Sequence, residues 1–300
     1  MNNFRVTAIG EILYDIYPDK KRMGGAPFNF IYHVWKILGK AGFISSVGDD
    51  ENGRELLQNL KSAGFNTNHI YTDKSHPTGT VTVTLGKDKI PVFKISPECS
   101  YDHLAINESS RNLIDNGTDL LYFGTLSTRG EVSRDTIISL FGKSHLKYFC
   151  DLNLRHNFYT KELIERTLRT CNVLKLNMDE LSKLKKFFGL DGSDDLAAEQ
   201  LIKNFGIDLI GLTLGSGGSI LYNRVTKNFR KAEEIDIIDT LGAGDAYSAV
   251  LALGYLRGWE IGRINKIGSE FAGGICTVEG ALPAEDSFYK KFRSAFALEE

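Results

Sequence analysis

Apolar and polar positions change their rhythm along this chain, and each change predicts a different kind of element. Phe4–Ile9 is a strand-like run, read as a buried first strand although Arg5 and Thr7 interrupt its apolar residues, and Ile12–Tyr17 alternates weakly before Pro18. A lysine-rich turn, Asp19–Arg22, leads to Pro27, which opens a helix whose apolar face is Phe30, Ile31, Val34, Ile37 and Leu38. A buried strand over 41–47 then meets Gly48-Asp49-Asp50, a helix start, and the helix over 51–63 closes at Gly64. Between Thr78 and Ile95 the period becomes two: Val81, Val83 and Leu85 alternate with Thr80, Thr82 and Thr84, a turn is expected at Gly86–Lys89, and Val92, Phe93 and Ile95 continue the hairpin. After Asp102, strand and helix alternate. Strands are expected near 120–123, 148–152, 173–176, 209–214 and 219–222, with a hairpin return over 225–230 and helices over 243–257, 261–278 and 288–298. This alternation predicts an α/β fold, a mostly parallel sheet with helices on both faces and ligands at the carboxyl ends of its strands. The hairpin and the strand over 12–17 fall outside the alternation and are expected to form a small separate sheet.

Composition narrows the classes. The chain has 300 residues, 42% of them hydrophobic and 25% charged, which suits a globular protein built on one sizeable core. Its net charge of −2 argues against a nucleic-acid partner held through phosphates. No run approaches the roughly 18 apolar residues of a membrane helix. The N-terminus has no signal-peptide pattern, so the cytoplasm is the expected location. Cys99, Cys150, Cys171 and Cys276 lie far apart without metal-binding spacing and are expected to be free thiols.

The chemistry concentrates in Ile235–Val250, IDIIDTLGAGDAYSAV. Its left half reads as a buried strand and its right half as a helix from Ala243, with Gly242, Ala243 and Gly244 at the junction. Small residues at a helix start expose backbone N–H groups where partial positive charge gathers, a site for an anion. Asp245 would repel a phosphate there unless it takes a proton from the group attacking that phosphate. On spacing alone, Asp239 or Asp245 could equally be a helix cap. Three other segments carry polar groups at element ends. Gly24-Gly25-Ala26-Pro27-Phe28-Asn29 stands at a helix start, and Asn29 offers both a donor and an acceptor. Asp151-Leu152-Asn153-Leu154-Arg155 closes a strand. Asn177-Met178-Asp179-Glu180 has the outline of a capping box. Thr213-Leu214-Gly215-Ser216-Gly217-Gly218 is a glycine turn after a strand, but no Walker lysine motif occurs anywhere in the chain.

DTLGAGD at 239–245 resembles the C-terminal signature of the ribokinase-like (phosphofructokinase B) carbohydrate kinases, and GGAPFN with VGDDENGRELLQNLKSAGFNT resembles their N-terminal one. The likeness runs from Gly10 to Ala281 with both signatures in order, and implies a ribokinase-like three-layer fold as one domain over 1–300. A lid sheet from about 11–22 and 75–100 would be inserted in it. It also implies roles for residues. Asp245 would be the catalytic base, and the amides of Gly242, Ala243 and Gly244 the anion hole. Asp15, Gly25 and Asn29 would contact the sugar. In the fructokinase and 2-keto-3-deoxygluconate kinase branches, Arg155 of D-x-N-x-R would face the substrate or the transferred phosphate. Their frequent Trp nearby is replaced here by Phe158 and Tyr159. Asn177 would lie near the nucleotide phosphates, Glu180 would organise Mg²⁺ through water, and Thr213, Gly215 and Gly218 would line the nucleotide. Gly280-Ala281 matches the family ending, while Ser269 stands where many relatives have an Asn near the adenine. Relatives often hold a monovalent cation such as K⁺ through carbonyls near Asp239, and lid hairpins often pair between subunits, which implies a homodimer.

The implied reaction is ATP-dependent phosphorylation of a small free sugar. Glu11 and Asp15 of GE-x-x-x-D, together with GGAP-x-N and D-x-N-x-R, favour a ketohexose such as fructose. A 2-keto-3-deoxy sugar acid, paired with Arg155, comes next. Ribose is disfavoured because the glutamate of ribokinases has no counterpart in Phe123–Ser127. A sugar-binding regulator that keeps the fold without catalysis is the alternative of a different class.

Overall fold

The structure is a computed structural model that describes residues 4–85 and 91–297. The expected turn at Gly86–Lys89 lies outside them. Nine strands form the main sheet, in the order β13-β12-β11-β10-β9-β8-β1-β4-β5. They are β1 (Val6–Ile9), β4 (Gly42–Gly48), β5 (Ile70–Asp73), β8 (Leu120–Gly124), β9 (Lys147–Asp151), β10 (Val173–Asn177), β11 (Leu209–Thr213), β12 (Ser219–Asn223) and β13 (Lys227–Arg230). From β5 through β11 every pairing is parallel, and only the edge hairpin of β12 and β13 runs antiparallel. The central strands β1 and β8 are buried along their whole lengths, which suits their mostly apolar sequences; Thr7, the polar residue of β1, pairs its hydroxyl with that of Thr118. Chain order proceeds one way from β1 to β4 and β5, then restarts on the other side of β1 at β8. That reversal makes a crevice at the carboxyl ends of the strands.

Helices cover both faces. Core residues of α1 (Ala26–Leu38), α2 (Glu51–Ser62), α8 (Ala243–Leu256), α9 (Ile261–Cys276) and α10 (Asp286–Ala297) share one apolar cluster. Those of α3 (Glu108–Gly117), α4 (Glu131–Ser139), α5 (Lys161–Thr170), α6 (Met178–Phe188) and α7 (Asp194–Phe205) share the other. Helix α8 is the most enclosed, with every residue from Ala246 to Gly254 buried, so it shows little apolar–polar sidedness. Its N-terminus is thereby pinned at the crevice, beside the start of α1.

A second sheet of four strands has the order β3-β2-β6-β7, from β2 (Leu13–Ile16), β3 (Lys21–Gly24), β6 (Gly79–Leu85) and β7 (Pro91–Ile95). Its own small core joins Leu13, Val81, Val83, Cys99, Tyr101 and Leu126. Arg129 anchors its base: the guanidinium pairs with Asp102 at 2.7 Å and lies between the rings of Tyr101 and Phe158.

Two expectations need correction, and one strand was missed. Residues 235–239 form no strand. They run over the surface, with Ile237 61% and Ile238 65% exposed, and the N–H groups of Ile238 and Asp239 donate to the Cys276 carbonyl at the end of α9 rather than to a strand. Part of the expected turn over 19–22 is strand β3, paired antiparallel with β2. Strand β5 was not evident from the sequence, since IYTD is too short and polar to show a period. The cysteines are free, with Cys99, Cys150 and Cys171 buried.

Candidate functional site

The turn into α8 is shaped by close packing. Gly242 sits at φ 78°, and a Cβ on it would fall 2.3 Å from that of Ala281. The Asp239 carboxylate braces the approach, accepting from Leu241 N–H at 3.0 Å and Gly280 N–H at 3.0 Å. The N-cap of α8 is therefore Gly242, without a side-chain cap, and neither aspartate plays that part. The first-turn amides of such a helix carry its positive end, and of these Ala243 N–H leans on the Thr240 carbonyl at 3.4 Å.

Packing of α1 against α8 brings Asn29 onto Asp245, with Asn29 Nδ2 donating to Asp245 Oδ2 at 2.8 Å. The other end of that amide, Asn29 Oδ1, is buried and accepts from nothing among the described residues. An unpartnered buried acceptor costs stability unless a ligand supplies a donor. Burial pushes the Asp245 carboxyl up to about 7, and the negative charge of Asp151 pushes the same way. The Asn29 hydrogen bond, Lys175 and Arg155 pull it back. A carboxylate tuned to neutrality suits a general base.

A second acidic group enters from the small sheet. Asp15, on β2, is directly opposite Arg22 on β3. Burial raises its carboxyl to about 6; Arg155 and then Arg22 oppose that rise, and Asp239 adds to it. Glu11 is wholly enclosed and accepts from the Ser127 hydroxyl. Burial raises its carboxyl too, against the Ser127 bond and the charges of Arg155 and Arg129. Gly25, at φ 108°, lets the chain pass against Glu11, where a Cβ would lie 2.6 Å from the Glu11 carbonyl oxygen. Asp15, Gly25, Asn29, Arg155 and Asp245 thus border one recess.

The small sheet is tied to the body at this recess. Arg22 Nη1 reaches Asp239 Oδ2 at 3.1 Å, and Glu279 pairs with both Arg22 and Lys20. Beside these ion pairs a cleft of about 730 Å³ lies between the small sheet and the body, bordered among others by Tyr17, Arg22, Val83, Ile238 and Asp239; Asp15, Gly25, Asn29, Arg155 and Asp245 are not among its lining residues.

On the other side of Asp245, Asn177 and Glu180 form a capping box at α6, Asn177 Oδ1 accepting from Glu180 N–H at 2.9 Å and Glu180 Oε2 from Asn177 N–H at 2.8 Å. Glu180 Oε1 also accepts from Leu154 N–H at 2.8 Å, so this one carboxylate fixes the loop that carries Arg155. Asn153 and His156, at φ 38° and 47°, show how tightly that loop is bent. Thr213 is in register with Asn177 across β10 and β11. The turn beyond it needs Gly218, where a Cβ would meet the Arg230 carbonyl at 2.0 Å, and Gly215 at φ 58°. Ser269 joins Ser219, whose hydroxyl donates to buried Asn265. Thr213, Gly215 and Gly218 line the continuation of the crevice rather than the Asp245 recess itself.

Among the described residues no cluster of acidic, His or Cys side chains could cage a metal. Glu180 presents a single amide-anchored carboxylate, a donor set that fits an ion held mainly by phosphates and water.

The sequence reading missed Lys175, Arg22 and the part played by Asp151. Lys175 Nζ lies 3.1 Å from Asp151 Oδ1, and Ser248 donates to Asp151 Oδ2 at 3.0 Å. The signal was present: a lysine inside the apolar strand VLKLN is tolerable only with a buried partner.

The description of the pfkB family of carbohydrate kinases matches residues 5–287. The chain belongs to that family. A fructokinase of Salmonella typhimurium is 26% identical over 83% of this chain and 83% of its own. A 5-dehydro-2-deoxygluconokinase of Geobacillus thermodenitrificans is 26% identical over 84% of this chain and 77% of its own. The crystal structure of a ribokinase from Thermotoga maritima superposes with a TM-score of 0.76 at 21% identity, covering 97% and 99% of the two chains. The fold of this carbohydrate kinase is therefore ribokinase-like, with the large parallel sheet and small accessory sheet that the sequence predicts.

Proposed function

We infer that this carbohydrate kinase moves the γ-phosphate of ATP to a hydroxyl of a free ketohexose such as fructose. The observation that carries the reading is Asn29, which holds Asp245 with one end of its amide and leaves a buried acceptor beside it. A sugar hydroxyl donating to Asn29 Oδ1 would lie within reach of the Asp245 carboxylate. Asp245 takes the hydroxyl proton as the oxygen attacks the γ-phosphorus. The bond from that phosphorus to the β-phosphate oxygen breaks, and ADP leaves. Amides of Gly242, Ala243 and Gly244 stabilise the charge on the transferred group. Asp15 and Gly25 position the sugar. Asn177, Thr213, Gly215 and Gly218 border the nucleotide. Mg²⁺ near Glu180 would neutralise phosphate charge, and a monovalent cation near Asp239 is part of the same reading. The small sheet acts as a lid on one domain, excluding water. The enzyme works in the cytoplasm as a homodimer.

A second reading has its own support. Arg22 and Arg155 both act on Asp15, so the recess holds two cations that a sugar carboxylate could use, and a 2-keto-3-deoxy sugar acid fits them. An ADP-release assay with Mg-ATP against ketohexoses, aldoses, keto-sugar acids and nucleosides separates the two. Fructose is expected to give the highest kcat/KM, and Asp245→Asn to abolish turnover while sugar binding persists. Turnover confined to a sugar acid transfers the assignment to the second reading. Substantial turnover by Asp245→Asn refutes the base.

A further inference from the structure

An ammonium group leaves water only at considerable cost, so a lysine that is 8% exposed must answer to its surroundings. Lys175 occupies the middle of β10, and its side chain runs to the crevice end of the sheet. There it completes a closed loop of contacts. Ser248, one turn below Gly244 on α8, donates to Asp151 Oδ2 at 3.0 Å. Asp151 Oδ1 holds Lys175 Nζ at 3.1 Å. Lys175 Nζ returns to α8, lying 3.0 Å from where a Cβ on Gly244 would stand. Nothing larger than glycine fits between the helix start and this ammonium without displacing it. Burial alone would pull the ammonium below its ordinary value; Asp151, Glu180 and Asp245 outweigh that and keep it protonated.

We propose that Lys175 is a positioning cation for phosphoryl transfer, locked by Asp151 behind the Gly244 backbone so that it both fixes the anion-hole turn and holds Asp245 as a carboxylate. The inference rests on Asp245 being the base. It answers how a kinase without a P-loop lysine places fixed positive charge near its phosphate-binding amides: the charge comes from the sheet side, and adds to the field of the helix end. Asp151 has two opposed effects. It holds the cation in place, yet its own charge favours the protonated form of Asp245. Asn29 from α1, Arg155 from the loop after β9 and the buried Tyr122 from β8 also act on or answer to Asp245.

The test is the pH profile of kcat/KM for Asp151→Asn, Lys175→Met and the double variant, with thermal unfolding of each. Lys175→Met should move the acidic limb to higher pH by about one unit, a tenfold loss of ionised base at a fixed pH on that limb. Asp151→Asn should move it to lower pH. Lys175→Met alone leaves Asp151 buried and unpaired, and if it does not fold the double variant supplies the reading. Adding Lys175→Met to Asp151→Asn must raise the limb again, and Lys175→Arg must shift it less than Lys175→Met. A double variant whose limb coincides with that of Asp151→Asn overturns the proposal, since a merely structural lysine would change melting temperature and leave the limb in place. Asp245→Asn in the same series separates the two failures. If it retains turnover, the base assignment is wrong; if it is dead while the limbs coincide, only the role of Lys175 is wrong.

Discussion

Asn29 shows how much one side chain decides here. Its amide joins the two glycine-rich segments at opposite ends of the chain, and its hydrogen bond lowers the proton affinity of a carboxyl that burial has raised to about 7. Activity should therefore fall as pH drops below neutrality, because the base must be ionised to act. Asn29→Ala removes the donor, so the acidic limb of kcat/KM should move to higher pH. The sugar KM should rise about tenfold, the weight of one lost hydrogen bond of this kind. A pH profile of kcat/KM with a sugar titration checks both, and an unmoved limb would separate Asn29 from the base. Asp245, Asn29 and Asp15 were marked in the sequence by contiguous motifs, and the structure joins the first two through one hydrogen bond. Lys175 and Arg22 were not so marked, because their meaning lies in partners far along the chain, Asp151 for one and Asp239 for the other.

At the scale of elements, the turn into α8 is the most demanding piece of backbone. Gly242→Ala would force a side chain into left-handed conformation, costing about 1–2 kcal/mol, and drive a Cβ toward Ala281. We expect kcat to fall by about two orders of magnitude as the amides lose their aim. Gly64→Ala is the control. It has a similar φ of 82° and nothing near its Cβ, so it should lower the melting temperature and leave kcat alone. Kinetics and unfolding curves on the pair distinguish local strain from loss of the site. The elements themselves were legible wherever periodicity was long or burial complete, as in α8 and β1. The stretch before α8 was misread as a strand because Ile235, Ile237 and Ile238 are apolar, while a strand also needs a neighbour with free backbone groups. Apolar composition does not reveal whether such an edge exists. β3 was hidden for the opposite reason: its polar residues Lys21 and Arg22 face ion-pair partners, not a core.

For the whole molecule, the small sheet poses a question of edges. β7 has a partner on one side only, and Val92 and Phe93 are 52% and 41% exposed on it. An unprotected apolar edge strand invites pairing with another chain. Light scattering should find a dimer for the native protein and a monomer for Phe93→Glu; a Phe93→Glu dimer would place the contact elsewhere. The three-layer body was legible from the strand–helix alternation, but the sheet order was not, because strand sequence carries no label for its neighbours.

The enclosed carboxyl of Asp245 has a thermodynamic consequence as well. An unfolded chain would release that proton near 3.8, whereas the folded protein holds it to about 7. The stabilisation from the protonated group is complete below the lower value and is lost as pH rises through the higher one. At the alkaline pH where the base is fully armed, the native state therefore carries a buried charge that unfolding would return to water. Readiness for chemistry and resistance to unfolding are set against each other at this one side chain.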